Sequence, residues 1–372
     1  MRTGQLLSLV AVRTIGRSRS AHLAILAAVA LIAVSPPARG IAAEEAVKVF
    51  IFAGQSNAVG MAKNPLWNTQ AELPETKDFF KHLREGGTWI AREDVLLKFR
   101  ELAGPLTLGS GAGRKCTGSE LEFGWVLGDH FDEPVLIIKT AWGGRSLVKN
   151  FRPPSSPLDQ AALDKELADS QEAVKKANAQ SGKNDPLPTM EDIKQRHGNC
   201  YRDMMTEIKD VMANYGTLFP QLAGRKLELA GFVWFQGWND QYGGAEKQYA
   251  ANLKNLINDV RRELSAPDLP VVIAVMGQNG STPATGPMKV IQDAQLAVPE
   301  LPEFRGTVKA IRTDVLVDTK AEKLVDGWRD HLDEWNKTGS DYGYHYYGSA
   351  IWYTRIGRAL GETMLELVGE KR

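Results

Sequence analysis

Cysteine is scarce: the 372-residue sequence holds two, Cys116 and Cys200. There is no CxxC pair, no HExxH and no cluster of His and Cys, so the spacings of zinc sites and redox dithiols are missing. In an oxidising compartment the two cysteines could close one disulfide across a long loop, if their geometry allows it. An excess of one charge is lacking too, since 45 Lys and Arg balance 45 Asp and Glu. No basic block stands outside the N-terminus, which excludes an electrostatic footprint for nucleic acid. Nor is there an apolar run of the roughly 20 residues that a membrane span needs.

What is present begins with a distinct leader. Arg2, Arg13, Arg17, Arg19 and Arg39 are its charges, and it has no acid. The apolar run Ala21–Val34, broken by His22, follows most of them and leads into Ser35–Ala43, rich in Pro, Ala and Gly. A basic segment, a short apolar segment and a small-residue exit describe a secretory signal peptide over residues 1–43, with an uncleaved anchor as the alternative. The expected location is secreted or periplasmic, with no stable membrane span after cleavage. Loss of residues 1–40 leaves 40 basic against 45 acidic residues.

The rest has ordinary globular composition, 43% hydrophobic and 24% charged. Short β-branched runs at Val47–Ala53, Val135–Thr140, Leu229–Phe235, Val271–Met276 and Val308–Arg312 predict five buried strands. Helical spacing marks Leu121–Phe131, Tyr201–Tyr215, Ala245–Leu264 and Ser349–Val368. Strands alternating with helices predict a three-layer α/β/α sandwich around a mainly parallel five-stranded sheet. One domain over 44–372 is expected, with insertions at about 61–118 and 150–198.

Four segments carry the candidate chemistry. Gly54-Gln55-Ser56-Asn57 follows a predicted strand, where open α/β sheets bind ligands. A serine hydroxyl there is exposed to a substrate, although Ser also caps helices. Trp142-Gly143-Gly144-Arg145 follows another strand, and a glycine N–H can donate to an oxyanion. Gln236-Gly237-Trp238-Asn239-Asp240 follows a third, and its amides are neutral donors. Last comes Asp341-Tyr342-Gly343-Tyr344-His345, ahead of the final helix. An imidazole there suits acid–base work, and a nearby carboxylate would orient it. His82, His130, His197 and His331 are read as surface or structural.

Ser, Gly, Gln/Asn and Asp/His in this order resemble the four sequence blocks of the SGNH (GDSL-like) hydrolases. The Gly-Gln-Ser-Asn form is similar to that of the sialate O-acetylesterase group and carbohydrate esterase family six, which includes acetylxylan esterases. The resemblance implies a flavodoxin-like sandwich and a serine esterase that removes O-acetyl groups from carbohydrates without a cofactor or metal. It implies Ser56 as nucleophile, His345 as base and Asp341 as its orienting acid. The oxyanion donors it implies are the N–H groups of Ser56 and Gly143, with Gln236 favoured over Asn239 as the side-chain donor. Gln55, Asn57, Arg145, Trp238, Asp240 and Tyr344 are the expected substrate contacts, and an acetylated carbohydrate or polysaccharide is the expected partner.

One departure stands out. The family spacing is Asp-x-x-His, whereas residue 342 is Tyr and Asp341 lies four before His345. Asp240, another acid or a backbone carbonyl are the alternatives for orienting the ring. The same departure motivates a second reading, a non-catalytic or degenerate carbohydrate-binding protein. A third is a hydrolase of lipid or other carboxylic esters.

Overall fold

The computed structural model describes residues 46–369, so the expected leader over 1–43 lies outside the described residues. The strands of the central sheet are β1 (Val47–Gly54), β2 (Arg92–Phe99), β3 (Leu102–Leu106), β4 (Val135–Ala141), β5 (Leu227–Phe235), β6 (Val271–Val275) and β7 (Val308–Arg312). Their spatial order is β7-β6-β5-β1-β4-β2-β3. All pairs are parallel except the β2–β3 hairpin at one edge.

The sheet thus has seven strands, not the five expected. The five predicted strands are all present, and the two extra ones come from the segment read as a loop insertion over 61–118. Only the second half of β2 is buried and β3 is mostly part-exposed, so neither presents a continuous apolar run.

Alternation along the strands explains the layers. In β1, Phe50 and Phe52 face one core, while Val47, Val49, Ile51 and Ala53 face the other. The same period of two splits β4, with Val135 and Ile137 on the first side and Leu136 and Ile138 on the second. Burying each such side chain contributes roughly 1.5–3 kcal/mol. The main helices are α1 (Ser56–Val59), α2 (Glu120–His130), α3 (Gln160–Ser181), α4 (Asn199–Leu218), α5 (Tyr249–Glu263), α6 (Gly286–Ala297) and α7 (Ala350–Gly369). Leucines and aromatics of α2 and α7 fill the first side, and α4, α5 and α6 fill the second.

Helices α2 and α7 cross closely because Gly357 and Gly361 sit one turn apart. A Cβ at Gly357 would fall 2.3 Å from the Ser119 carbonyl oxygen, and one at Gly361 would fall 2.7 Å from Val126 Cβ. Helix α6 had no clear sequence signal. Its buried face includes Gln292 and Gln295 beside Ile291 and Ala294, which breaks the apolar period.

Cys116 and Cys200 are buried free thiols, so the disulfide weighed from the sequence is not formed. No described helix is long and apolar enough to cross a membrane.

One buried charge sits directly under α1. Lys139 of β4 is fully buried, and its Nζ donates to the Val59 carbonyl at 2.7 Å and the Ser110 carbonyl at 2.9 Å. Glu120 lies 3.2 Å away. Burial pushes the Lys139 pKa down and the Glu120 carboxylate opposes that. Removing one partner of a buried pair strands the other charge, at a cost of about 3–5 kcal/mol. Lys139→Met is therefore expected to lower unfolding stability by about that much in urea titration. A loss under about 1 kcal/mol would show that the pair carries little of the fold.

Candidate active site

The site is assembled at the carboxyl ends of three adjacent strands. Gly54 ends β1 between Ala141 of β4 and Phe235 of β5. The three loops that follow therefore start side by side: Gln55-Ser56, Trp142-Gly143 and Gln236–Asp240. Gly54 has φ +150°, and a Cβ on it would lie 2.1 Å from the Phe235 carbonyl oxygen. No other residue type fits there, so the sharp exit that turns Ser56 out of the sheet requires glycine.

Ser56 opens α1 and is 9% exposed. It lines a pocket of about 460 Å³ together with Gly143, Asn239, Trp238, Tyr344 and His345. A Cβ on Gly143 would lie 3.8 Å from Ser56 Cβ, so the second loop runs directly past the serine.

His345 reaches the same pocket from the far end of the chain. Its Nδ1 lies 3.1 Å from Asp341 Oδ2, and both side chains are largely buried. A tight turn absorbs the additional residue between them: the His345 N–H donates to the Tyr342 carbonyl at 2.9 Å. The Tyr342 N–H donates to Asp341 Oδ1 at 2.7 Å. Burial pushes the Asp341 carboxyl up, but the His345 ring and the Tyr342 N–H, with the His345 and Lys63 charges, outweigh it and hold it below its ordinary value. With Nδ1 so engaged, Nε2 is the nitrogen left for the pocket.

The loop that carries His345 is strained. Tyr346 and Tyr347 both adopt left-handed backbone, φ +54° and +57°. Such residues cost about 1–3 kcal/mol each and persist only where the surroundings hold them. Here the Tyr346 hydroxyl lies 2.7 Å from Thr313 Oγ1 and accepts from the Gly277 N–H at 3.2 Å. The Tyr347 carbonyl accepts from the N–H groups of Ser340 and Asp341 at 2.8 and 3.0 Å.

Several residues expected in the pocket hold it together from behind instead. Gln236, the favoured oxyanion donor, is 2% exposed and does not line the pocket. Its Nε2 is committed to Asp240 Oδ2 at 2.6 Å, the Arg145 carbonyl at 3.1 Å and Gln55 Oε1 at 3.2 Å. Asn239 occupies the pocket in its place. Gln55 Nε2 donates to Asn239 Oδ1 at 3.0 Å, so the Asn239 amide nitrogen is the end left as a donor.

Gln55 lines the pocket, but its amide clamps the third loop, accepting from the N–H groups of Gly237 and Asn239 at 3.2 and 3.4 Å. Asn57 is buried under the His345 loop, donating to the Tyr344 carbonyl at 3.1 Å and accepting from the Tyr353 hydroxyl at 2.7 Å. It does not line the pocket. Arg145 is exposed and lies off the pocket. Trp238 and Tyr344 do line it, with ring centroids 6.0 Å apart.

Asp240 neither meets substrate nor orients His345. It is fully buried and accepts from the Leu147 and Val148 N–H groups at 2.7 and 2.8 Å. It thereby ties the Gly143 loop to the Gln236 loop. Arg100 is a pocket residue that the motifs missed. It sits at the turn of the β2–β3 hairpin with φ +51°, and no spacing in the sequence pointed to it.

The fold is therefore an α/β sandwich with a serine, an imidazole–carboxylate pair and amide donors gathered at strand ends. Residues 188–322 match the family described as carbohydrate esterase, sialic acid-specific acetylesterase. The family resemblance read from the motifs is shown to that extent. The matched segment holds Gln236–Asp240 but neither Ser56 nor His345. A search of curated proteins finds no match.

Similar solved structures include a protein of Arabidopsis thaliana, at 13% identity and TM-score 0.48, covering 86% of this chain and 97% of that one. A carbohydrate acetylesterase from Xanthomonas citri has 13% identity and TM-score 0.46, covering 87% and 57%. NanS has 13% identity and TM-score 0.39, covering 73% and 79%.

Burial pushes the Asp240 carboxyl up to about 6, against the pull of the Leu147 N–H, the Gln236 amide and the Val148 N–H. Between roughly pH 4 and 6 the folded chain then keeps a proton that the unfolded chain has lost. This group's contribution to stability falls as pH rises through that window and is flat above it. Asp240→Asn, which sets an amide N–H₂ against those donors, is expected to cost about 1–3 kcal/mol. The gap to wild type should be wider at acid than at neutral pH, read by denaturant titration at both.

Proposed function

We propose that this chain is a serine esterase that removes O-acetyl groups from carbohydrates through an acyl-enzyme. The observation that carries the reading is that Ser56 and His345, 289 positions apart in the sequence, line one pocket while Asp341 holds the far nitrogen of the imidazole. The third motif and the family match over 188–322 supply the substrate class.

In this reading His345 Nε2 takes the Ser56 proton as the hydroxyl oxygen attacks the ester carbonyl. Negative charge gathers on the carbonyl oxygen, and the N–H groups of Ser56 and Gly143 with the Asn239 amide receive it. His345 then protonates the departing sugar hydroxyl. Water enters, gives a proton to His345 and attacks the acyl carbon, and His345 returns that proton to Ser56 Oγ as the C–O bond breaks and acetate leaves. Asp341 keeps the ring in the tautomer that presents Nε2 and favours the imidazolium formed at each step. Every step calls on side chains and backbone alone. The leader-like residues 1–43 fit an exported enzyme. The irregular Asp–His spacing lends no weight to a binding-only protein, because Asp341 reaches His345.

Ser56→Ala is expected to abolish hydrolysis of p-nitrophenyl acetate while leaving the circular dichroism spectrum unchanged. Retained turnover would remove Ser56 from the reaction. Asn239→Ala should lower kcat by about 10²–10³ in an enzyme that still folds. Gln236→Ala, by contrast, should first lower stability. Were Gln236→Ala to lower kcat alone, and Asn239→Ala to do nothing, the oxyanion donor would revert to Gln236.

A further inference from the structure

We propose that a second cavity, on the far side of the 341–343 loop from Ser56, is a subsite for another sugar ring, so that the substrate is an acetylated oligomer or polymer and not a single sugar; this rests on the esterase reading above. The cavity has a volume of about 300 Å³ and is walled by Trp328, Trp335 and Tyr342, with Lys63 and Asp341 on its polar side. None of the three aromatic side chains has a part in acyl transfer.

The wall is built, not incidental. Trp328 and Trp335 pack with ring centroids 6.1 Å apart and planes tilted by 37°. Trp335 is 5% exposed and lies so close over Gly339 that a Cβ there would meet its ring at 2.5 Å. The Arg329 guanidinium sits over the other indole, 4.5 Å from the Trp328 ring centroid. An apolar wall with a few polar groups at one side is the general make-up of a small-molecule site. A sugar ring matches it, since its C–H face suits indole and its hydroxyl rim suits an ammonium and a carboxylate.

A ring contact links the wall of this cavity to that of the Ser56 pocket. Tyr342 lines the one and Tyr344 lines the other, and their rings stack 5.3 Å apart with 17° between planes. Tyr344 continues to Trp238 at 6.0 Å. Tyr342 and Tyr344 are 55% and 39% exposed, although large aromatics generally bury their rings. A row of exposed rings running from the serine to a second aromatic cavity fits consecutive rings of one glycan chain. Asp341 borders the second cavity while holding His345, so occupancy there bears on the group that orients the base.

The test compares kcat/KM for acetate release from O-acetylated tetramers and from the matching monosaccharides of xylose, mannose and galacturonic acid, with p-nitrophenyl acetate alongside. The proposal expects wild type to prefer the tetramer at least tenfold on one or more sugars. Trp328→Ala and Tyr342→Ala should each cut that tetramer-to-monomer ratio at least fivefold. If Trp328→Ala does not fold, Tyr342→Ala decides alone, its side chain being largely in solvent. A wild-type ratio near one on every sugar hydrolysed, or a ratio unmoved by the variants, overturns the subsite and leaves the esterase reading standing. Turnover of p-nitrophenyl acetate with no acetate from any sugar overturns the carbohydrate reading, and the subsite with it.

Discussion

The site depends on how closely β1 passes β5 at its carboxyl end. At Gly54 the two backbones approach until no Cβ can stand between them. That contact places Gln55 where its side-chain amide can bond the Gln236–Asn239 loop. Ser56 is then thrown clear of the sheet beside Gly143. A Cβ at Gly54 would push the two strands apart and dissolve the clamp. Ser56, the Gly143 backbone and the Asn239 amide all take their positions from this one approach.

Around that contact the polar groups fall into two sets. Those in the pocket include Ser56, His345, Asn239, Arg100, Gln55 and the backbone at Gly143. Behind it Gln236, Asp240, Tyr249 and Gln295 bond to one another and to backbone, and Gln55 ties them to the pocket wall. In a buried, low-dielectric setting such a network is stiff only when its members are satisfied. Its stiffness is what lets three short loops act as one surface. On the other side, the His345 loop is held by Tyr346, Asn57 and Ser349, the last donating to Asp318 Oδ2 at 2.6 Å. Two left-handed tyrosines are the local cost of aiming the imidazole.

Much of this was legible beforehand. Four of the five expected strands announced themselves because they are buried along most of their length and read as apolar runs, and the edge strand β7 still shows Val308, Ala310 and Ile311. The final helix was clear from Ile356, Leu360 and Met364 on one face. Strands β2 and β3 were hidden, since only the second half of β2 is buried and the edge strand β3 is mostly part-exposed. Helix α6 was hidden because its buried face spends two places on glutamines. At the site, Ser56, Gly143 and Asn239 were picked out by residue type and position after a strand, and Asp341 and His345 by their place ahead of the final helix. Which amide lines the pocket was not, since an amide that faces a pocket and an amide that braces a loop look alike in one dimension.

The sequence by itself determined the strand-loop-helix rhythm, the residue types at each strand end and the order in which they come, because periodicity and turn chemistry are local properties. Tertiary structure alone decided that Asp341 reaches His345 across one more residue than the family spacing, that Gln236 and Asp240 face inward, and that Arg100 joins the pocket. Those outcomes rest on which loops lie next to one another. That is set by the order of strands in the sheet, a long-range property that no local window of residues encodes.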